Sequence, residues 1–356
     1  MKKLDAETSM REAAEAIVTQ TACLKKNSNV LVICGVHNQS LAEQIMLQSY
    51  AAEAHPFLWI FNERLFLRNS QFASTDSIAI LPIHTRSLLE KSDVVIWLSQ
   101  FDGFAPPVKT VVSFWDAVYD SIIGKPRLMV NLFSAKVIER MGIAYGDLFS
   151  AFINAINVDY QRIRDTGSHV ASMLDGSKQI HIYDSNGTDL TFSIEGRPVG
   201  MEVGTLEECY NSGRECEVEV PAGEVYTAPL ETSADGTLIV DELKDFGIRK
   251  LQLRFEKGRI AEFTAQKGTN TFKNVLNNAE GDKDRIAELG IGINHRMKPT
   301  GLRIYDEKTL GTAHIAIGNN THLGGTNKAT IHIDFILPSP TIETDNKPLM
   351  KKGKLC

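Results

Sequence analysis

Val30-Leu-Val-Ile-Cys-Gly35 is an unbroken apolar run closed by a glycine, with helical spacing on either side of it. Such a run has the length of a buried strand and is too short for a buried helix, and the glycine supplies the turn that ends it. Upstream, apolar residues recur at helical intervals from Ala6 to Leu24; downstream, the same spacing returns from Leu41 to Glu53. Three more strand-like runs follow: Phe57-Leu-Trp-Ile-Phe61, Asp93-Val-Val-Ile-Trp-Leu98 and Leu128-Met-Val-Asn-Leu132, the last preceded by a helical interval from Ser113 to Ile123. Strands that alternate with helices predict a parallel sheet covered on both faces, so the first part reads as an α/β domain. The turn after Gly35 reads Val-His-Asn-Gln-Ser40 and lacks the glycine spacing of a dinucleotide-binding loop. His37 and Ser40 are therefore read as residues that cap the next helix.

From about residue 178 the texture changes. Gln179-Ile-His-Ile-Tyr183, an Asn186-Gly187 turn and Leu190-Thr-Phe-Ser-Ile194 read as a hairpin. Short alternating runs and glycines continue to Leu337, interrupted by one helical interval from Asn274 to Leu289. The second part is thus a β-rich α+β domain, and the division is expected at 1–190 and 191–356. The tail from Thr344 to Cys356 is basic, contains a proline and is expected to pack loosely.

The chain has 356 residues, more than one core usually supports, in keeping with two domains. Its formal net charge of -6 gives no electrostatic case for nucleic acid or an anionic membrane. Five cysteines, at 23, 34, 209, 216 and 356, are odd in number and lack CxxC spacing, so they are read as free thiols. The basic start has no apolar segment behind it, and no stretch approaches the ~18 apolar residues of a membrane span. These features predict a reduced, soluble, cytoplasmic protein.

The chemistry concentrates in the second part. In Ala329-Thr-Ile-His-Ile-Asp-Phe-Ile-Leu337, alternation puts His332 and Asp334 on one face of a strand and Ile331, Ile333 and Phe335 on the other. Gly311-Thr-Ala-His-Ile-Ala-Ile-Gly318 supplies His314 on a second strand, with small Thr312 and Ala316 on its face. A glycine-bearing loop, Asn319 to Asn327, joins the two, so both histidines can face one way. Glu224 lies in Pro221-Ala-Gly-Glu-Val-Tyr-Thr-Ala-Pro229. Glu288 is read at the end of the preceding helix, where a carboxylate is electrostatically disfavoured and hence suggestive of another purpose. Three carboxylates and two histidines suffice for two divalent ions, which together can activate water and polarise a carbonyl.

The blocks PAGEVYTAP, AELGIGIN, EKTLGTAHIAIG and GGTNKATIHIDF resemble the aminopeptidase T family of metalloaminopeptidases, and GTDLTFSIEGRP does so as well. The resemblance covers most of the second half; the first half shares chiefly an α/β pattern. It implies a dinuclear metal site held by Glu224, Glu288, His314, His332 and Asp334, with Glu288 as the bridging ligand. It also implies two divalent ions (Zn, Co, Mn or Mg), a short peptide substrate with a free amine, and a homodimer. Glu224 and Glu288 are then the catalytic carboxylates. Where the family carries a tyrosine beyond the GTAH histidine, this chain has Thr321 and His322, which makes His322 a candidate catalytic residue as proton donor or ligand. Some relatives on this fold resemble dihydroxypyridine dioxygenases, which cleave aromatic rings at a single Fe(II) and carry histidine where this chain has Glu288.

Overall fold

The computed structural model describes residues 3–69, 83–99, 109–207, 210 and 217–356. The chain forms two compact units, Met1–Asn157 with Gly204–Ala222, and Val158–Val203 with Gly223–Cys356.

The first unit holds a five-stranded parallel sheet in the order His55–Phe61, Asn29–Gly35, Val94–Leu98, Arg127–Val130, Glu217–Val220. All five residues of Val94–Leu98 are buried, as expected when helices cover both faces and no position of the strand meets water. The helix Gln39–Ala51 follows the first strand, and the helix Lys109–Asp120 packs Phe114 and Trp115 against Trp59, Phe61 and Trp97. The first helix runs Lys3–Ala16 and continues as a π-helical turn, Ile17–Thr21, so the predicted span to Leu24 stops three residues short. His37 and Ser40 do not cap the helix. The capping position is Asn38, and its amide instead donates to the carbonyls of Ser99 (3.1 Å) and Leu132 (2.8 Å), tying two strand ends together.

The division of the chain differs from the 190/191 boundary expected from the sequence, for two reasons. The helix Tyr160–Leu174 buries Tyr160, Ile163, Gly167, Val170 and Leu174, which join the core of the second unit. The strand Glu217–Val220 then returns to the parallel sheet, in register with Arg127–Val130. An amphipathic helix declares that it has an apolar face, and its sequence does not say which sheet receives that face.

The second unit contains two antiparallel sheets. The larger runs Arg259–Lys267, Ile248–Glu256, Asp235–Leu243, Asp189–Ser193, Gln179–Tyr183, Thr341–Thr344, Lys347–Lys351, Lys354–Leu355. The smaller runs His332–Leu337, Ala313–Gly318, Ile286–Gly292, Glu224–Thr227, Val199–Glu202. Alternate residues of both sheets enter one apolar core: Ile180, Phe192, Leu238 and Leu251 from the larger, and Val225, Leu289, Ile315, Ile333 and Phe335 from the smaller.

Two expectations are corrected here. Glu288 is not at a helix end: the helix spans Thr269–Asn278, and Glu288 lies within the fully buried strand Ile286–Gly292. Gly281, at φ +77°, turns the chain between them, passing so near the Lys328 carbonyl that a Cβ would sit 1.9 Å from it. The tail does not pack loosely: Asp345 and Asn346 take positive φ (48° and 63°) and form the two-residue turn of a hairpin that buries Leu349 and Met350. Cys23, Cys34 and Cys356 are in no disulfide, while Cys209 and Cys216 lie outside the described residues. Among the described residues, no helix is long and apolar enough to cross a membrane.

Candidate metal centre

The smaller sheet of the second unit has one face on the core and one face lined with ligating side chains. Directly opposed residues of neighbouring strands share a face. Gly318 opposes His332, Ala316 opposes both Asp334 and Glu288, Gly290 opposes both His314 and Tyr226, and Gly292 opposes Glu224, itself opposed by Glu202. The ligating residues therefore alternate with glycine and alanine across the strands. Gly290 shows why: a Cβ there would lie 2.0 Å from Cε1 of His314, so the imidazole lies flat over the glycine.

The five predicted ligands, Glu224, Glu288, His314, His332 and Asp334, all come to this face. Glu288 sits at the middle, with Oε1 3.4 Å from His314 Nε2 and Oε2 3.1 Å from His332 Nε2. Asp334 Oδ1 is also 3.1 Å from His332 Nε2, and Glu224 Oε2 is 4.0 Å from His314 Nε2. His332 Nδ1 donates to the Asn319 carbonyl at 2.7 Å, which fixes the ring and leaves Nε2 toward the carboxylates. His322, on a short 3-10 turn over Thr321–Leu323, brings its ring centroid 5.5 Å from that of His332. Two groups place one ligand atom per residue within 4.8 Å of one another: Glu288, His314 and Asp334, and Glu288, His322 and His332. Glu288 belongs to both.

Two cations that the sequence analysis passed over hold the outer oxygens of the terminal carboxylates. Lys308 Nζ, its side chain 2% exposed, reaches Glu224 Oε1 (3.0 Å), Glu202 Oε2 (2.7 Å) and Glu307 Oε1 (3.4 Å). Arg303 Nη1 reaches Asp334 Oδ2 at 3.2 Å while its other nitrogens hold Asp245. Lys308 follows Glu307 in the EKTLGTAH block, and nothing in its immediate sequence marks a lysine as buried. Glu288 has both oxygens turned to the histidines.

Burial alone would lower the His332 pKa, yet the hydrogen bonds to Asp334 and Glu288 outweigh it and raise the value to about 11. For His314 burial again opposes, and the Glu288 hydrogen bond prevails, giving about 9. Burial would raise Glu288, but its two histidine partners bring it down to about 2; Asp334 is likewise held far below the usual carboxylate range against its burial, chiefly by His332. Carboxylates and imidazoles thus favour one another's charged forms, and a cation that replaced the imidazole protons would meet the same oxygens. Burial pushes Glu202 up to about 7 against the pull of Lys308, and drives Glu307 well above the ordinary value. Partial burial, then the charge on His332, lower His322.

A divalent cation fits this donor set. Carboxylate oxygens and imidazole nitrogens suit zinc, manganese, cobalt and iron. Glu224 Oε2 and His314 Nδ1 are buried without a hydrogen-bond partner among the described residues, and Glu224 Oε2 is turned toward the His314 imidazole. A polar atom so buried costs free energy unless something binds it, which is the condition a ligating atom is in before its ion arrives.

The pattern of the thermophilic metalloprotease (M29) family matches residues 154–355, a span that includes every residue of this cluster. Aminopeptidase AmpS of Bacillus subtilis is 26% identical over 200 residues, which make up 48% of this chain and 48% of that protein. The 2,5-dihydroxypyridine 5,6-dioxygenase of Pseudomonas putida is 26% identical over 201 residues, 51% of this chain and 55% of its own. The chain thus spans about half the length of the curated relatives it matches. Among solved structures, wild-type AmpT from Thermus thermophilus shares the fold, with a TM-score of 0.75 at 17% identity, over 98% of this chain and 99% of that one.

Proposed function

This chain belongs to the thermophilic metalloprotease (M29) family, and from that premise we propose that it is a metal-dependent aminopeptidase that removes N-terminal residues from short peptides at a dinuclear site. The observation that carries the proposal is Glu288, whose two oxygens face two different histidines on neighbouring strands. A carboxylate in that position can serve two cations at once. Glu288, His314, Asp334 and Glu224 would hold one ion, and Glu288 with His332 the other.

Bound divalent ions would polarise the scissile carbonyl and lower the pKa of a water molecule. The chain's own residues do the rest. His332 is oriented by the Asn319 carbonyl, so that its Nε2 points into the cluster. Lys308 and Arg303 each hold one oxygen of Glu224 and Asp334 and leave the other for ligation. A carboxylate of the site, Glu224 or Glu288, would relay the proton of the attacking water to the leaving amine. The reading includes a homodimer, carried from the family resemblance, and the cytoplasmic location expected from the sequence; light scattering in solution tests the former.

A second reading is favoured by a separate observation. Glu288, His322 and His332 make two imidazoles and one carboxylate, the donor composition of mononuclear Fe(II) oxygenases. Together with the similarity to the Pseudomonas putida enzyme, it supports an iron-dependent ring-cleaving dioxygenase. Glu288 itself favours hydrolysis, because the dioxygenase resemblance implies histidine there. Reconstituted protein assayed on aminoacyl anilides, and separately for oxygen uptake with dihydroxypyridines, separates the two. Chelator-sensitive anilide hydrolysis supports the aminopeptidase, and oxygen uptake dependent on iron without hydrolysis overturns it.

A further inference from the structure

We propose that His322 is itself a metal ligand, completing with His332 and Glu288 a cation subsite for an imidazole-preferring transition metal, separate from the subsite of Glu288, His314 and Asp334. The inference rests on the metal reading above and adds a ligand to it.

Geometry carries it. One atom each from Glu288, His322 and His332 lie within 4.8 Å of one another. Ligands on one tetrahedral cation at ~2.1 Å sit ~3.4 Å apart, so the three atoms need to close by at most ~1.4 Å. An imidazole at the end of two side-chain torsions covers that distance by a change of rotamer. His322 has that freedom, because its side chain is exposed whereas Glu288 is buried.

Its backbone, by contrast, is held from several sides. Thr321 N and Oγ1 both donate to Asn319 Oδ1, at 3.0 and 2.9 Å. Asn327 N donates to Asn320 Oδ1 at 2.8 Å, and Asn327 Nδ2 at 2.9 Å to the carbonyl of Ile286, the first residue of the strand that carries Glu288. Glu231 Oε1 accepts from Thr326 N at 2.6 Å, and its partner Arg197 donates to the Gly324 carbonyl at 2.7 Å. Gly325 is packed against the Asn320 amide so closely that a Cβ would lie 2.1 Å from it. A loop anchored at this many points presents one exposed imidazole beside a second whose Nδ1 is already committed to Asn319. That is the arrangement of a preformed site with one mobile ligand.

The donor set specifies the metal class. Two imidazoles and a carboxylate favour zinc, iron or cobalt over magnesium, which takes oxygen ligands and keeps its waters.

The experiment is equilibrium dialysis of the metal-free chain against zinc with elemental analysis, for wild type, His322→Ala and His322→Gln. Cobalt-substituted samples add visible absorption. The exposed position leaves folding intact, which the melting temperature of the metal-free variants checks. The expected result is one zinc fewer per chain at limiting zinc, an affinity at the weaker site reduced tenfold or more, and an altered cobalt d–d band. Zinc content and affinity within twofold of wild type, with an unchanged cobalt spectrum, would overturn the role of His322 and leave the metal reading standing. Wild type that binds no divalent ion would overturn both.

Discussion

Replacing Lys308 by methionine keeps an unbranched apolar stem, one atom shorter, and removes the charge and its donors. In the native chain the Lys308 side chain is buried and its ammonium touches three carboxylates, at 2.7, 3.0 and 3.4 Å. The variant leaves Glu202, Glu224 and Glu307 buried together without that cation. Breaking a buried ion pair from one side costs about 3–5 kcal/mol. Glu202 and Glu307 already lean toward the protonated form through burial, which relieves part of the repulsion and places the expectation near the lower bound, about 3 kcal/mol. For the second unit, of about 180 residues, the melting temperature should fall by roughly 6–12 °C. Urea unfolding of metal-free protein, followed by circular dichroism, gives the difference. Adding Glu202→Gln to Lys308→Met should recover about 1 kcal/mol or more, since it removes one of the stranded charges. A destabilisation of Lys308→Met below about 1 kcal/mol would refute the reasoning, because these carboxylates would then not depend on the ammonium.

Three other outcomes are expected. Gly290→Ala places a methyl group 2.0 Å from the His314 ring, so the ring must leave the sheet face; metal-free protein should lose about 1–3 kcal/mol and zinc affinity should fall, as read by melting and by competition with a chelator. Arg303→Gln frees Asp334 Oδ2, which Arg303 holds at 3.2 Å; zinc affinity should weaken about tenfold with little change in the fold, since the arginine is partly exposed. Burial raises the Cys34 thiol from 9.0 to about 12, so the folded chain keeps its proton; the stability this contributes is present below pH 9 and is lost as pH rises from 9 to about 12. Iodoacetamide at pH 8 should accordingly label the exposed Cys356 and spare Cys34 in native protein, as peptide mapping reads.

The parts of the fold written in short-range periodicity could be read before the structure was known. Val30–Cys34 and Val94–Leu98 are continuous apolar runs because no position on a doubly covered parallel strand meets water. His332 and Asp334 share a face because a strand has period two, and Ala316 is small because it lies between them and Glu288. What escaped depends on contacts made at long range. The apolar spacing before Glu288 runs on into Ile286-Ala-Glu-Leu and so predicts a helix there, whereas the break comes from the close approach of Gly281 to Lys328, far along the chain. Lys308 and Arg303 look like surface charges in sequence; only the folded register surrounds them with carboxylates. The strands of the tail are short and begin beside a proline, so their burial comes from the neighbouring hairpin and leaves no local periodicity.

The most direct test of the dinuclear site is the metal content of the chain, purified anaerobically without chelators, beside that of Glu288→Gln. Because Glu288 serves both histidines, wild type should carry about two divalent ions per chain and the variant should lose both. An unchanged metal content in Glu288→Gln, or a wild-type chain that takes up no divalent ion on reconstitution, would contradict the account.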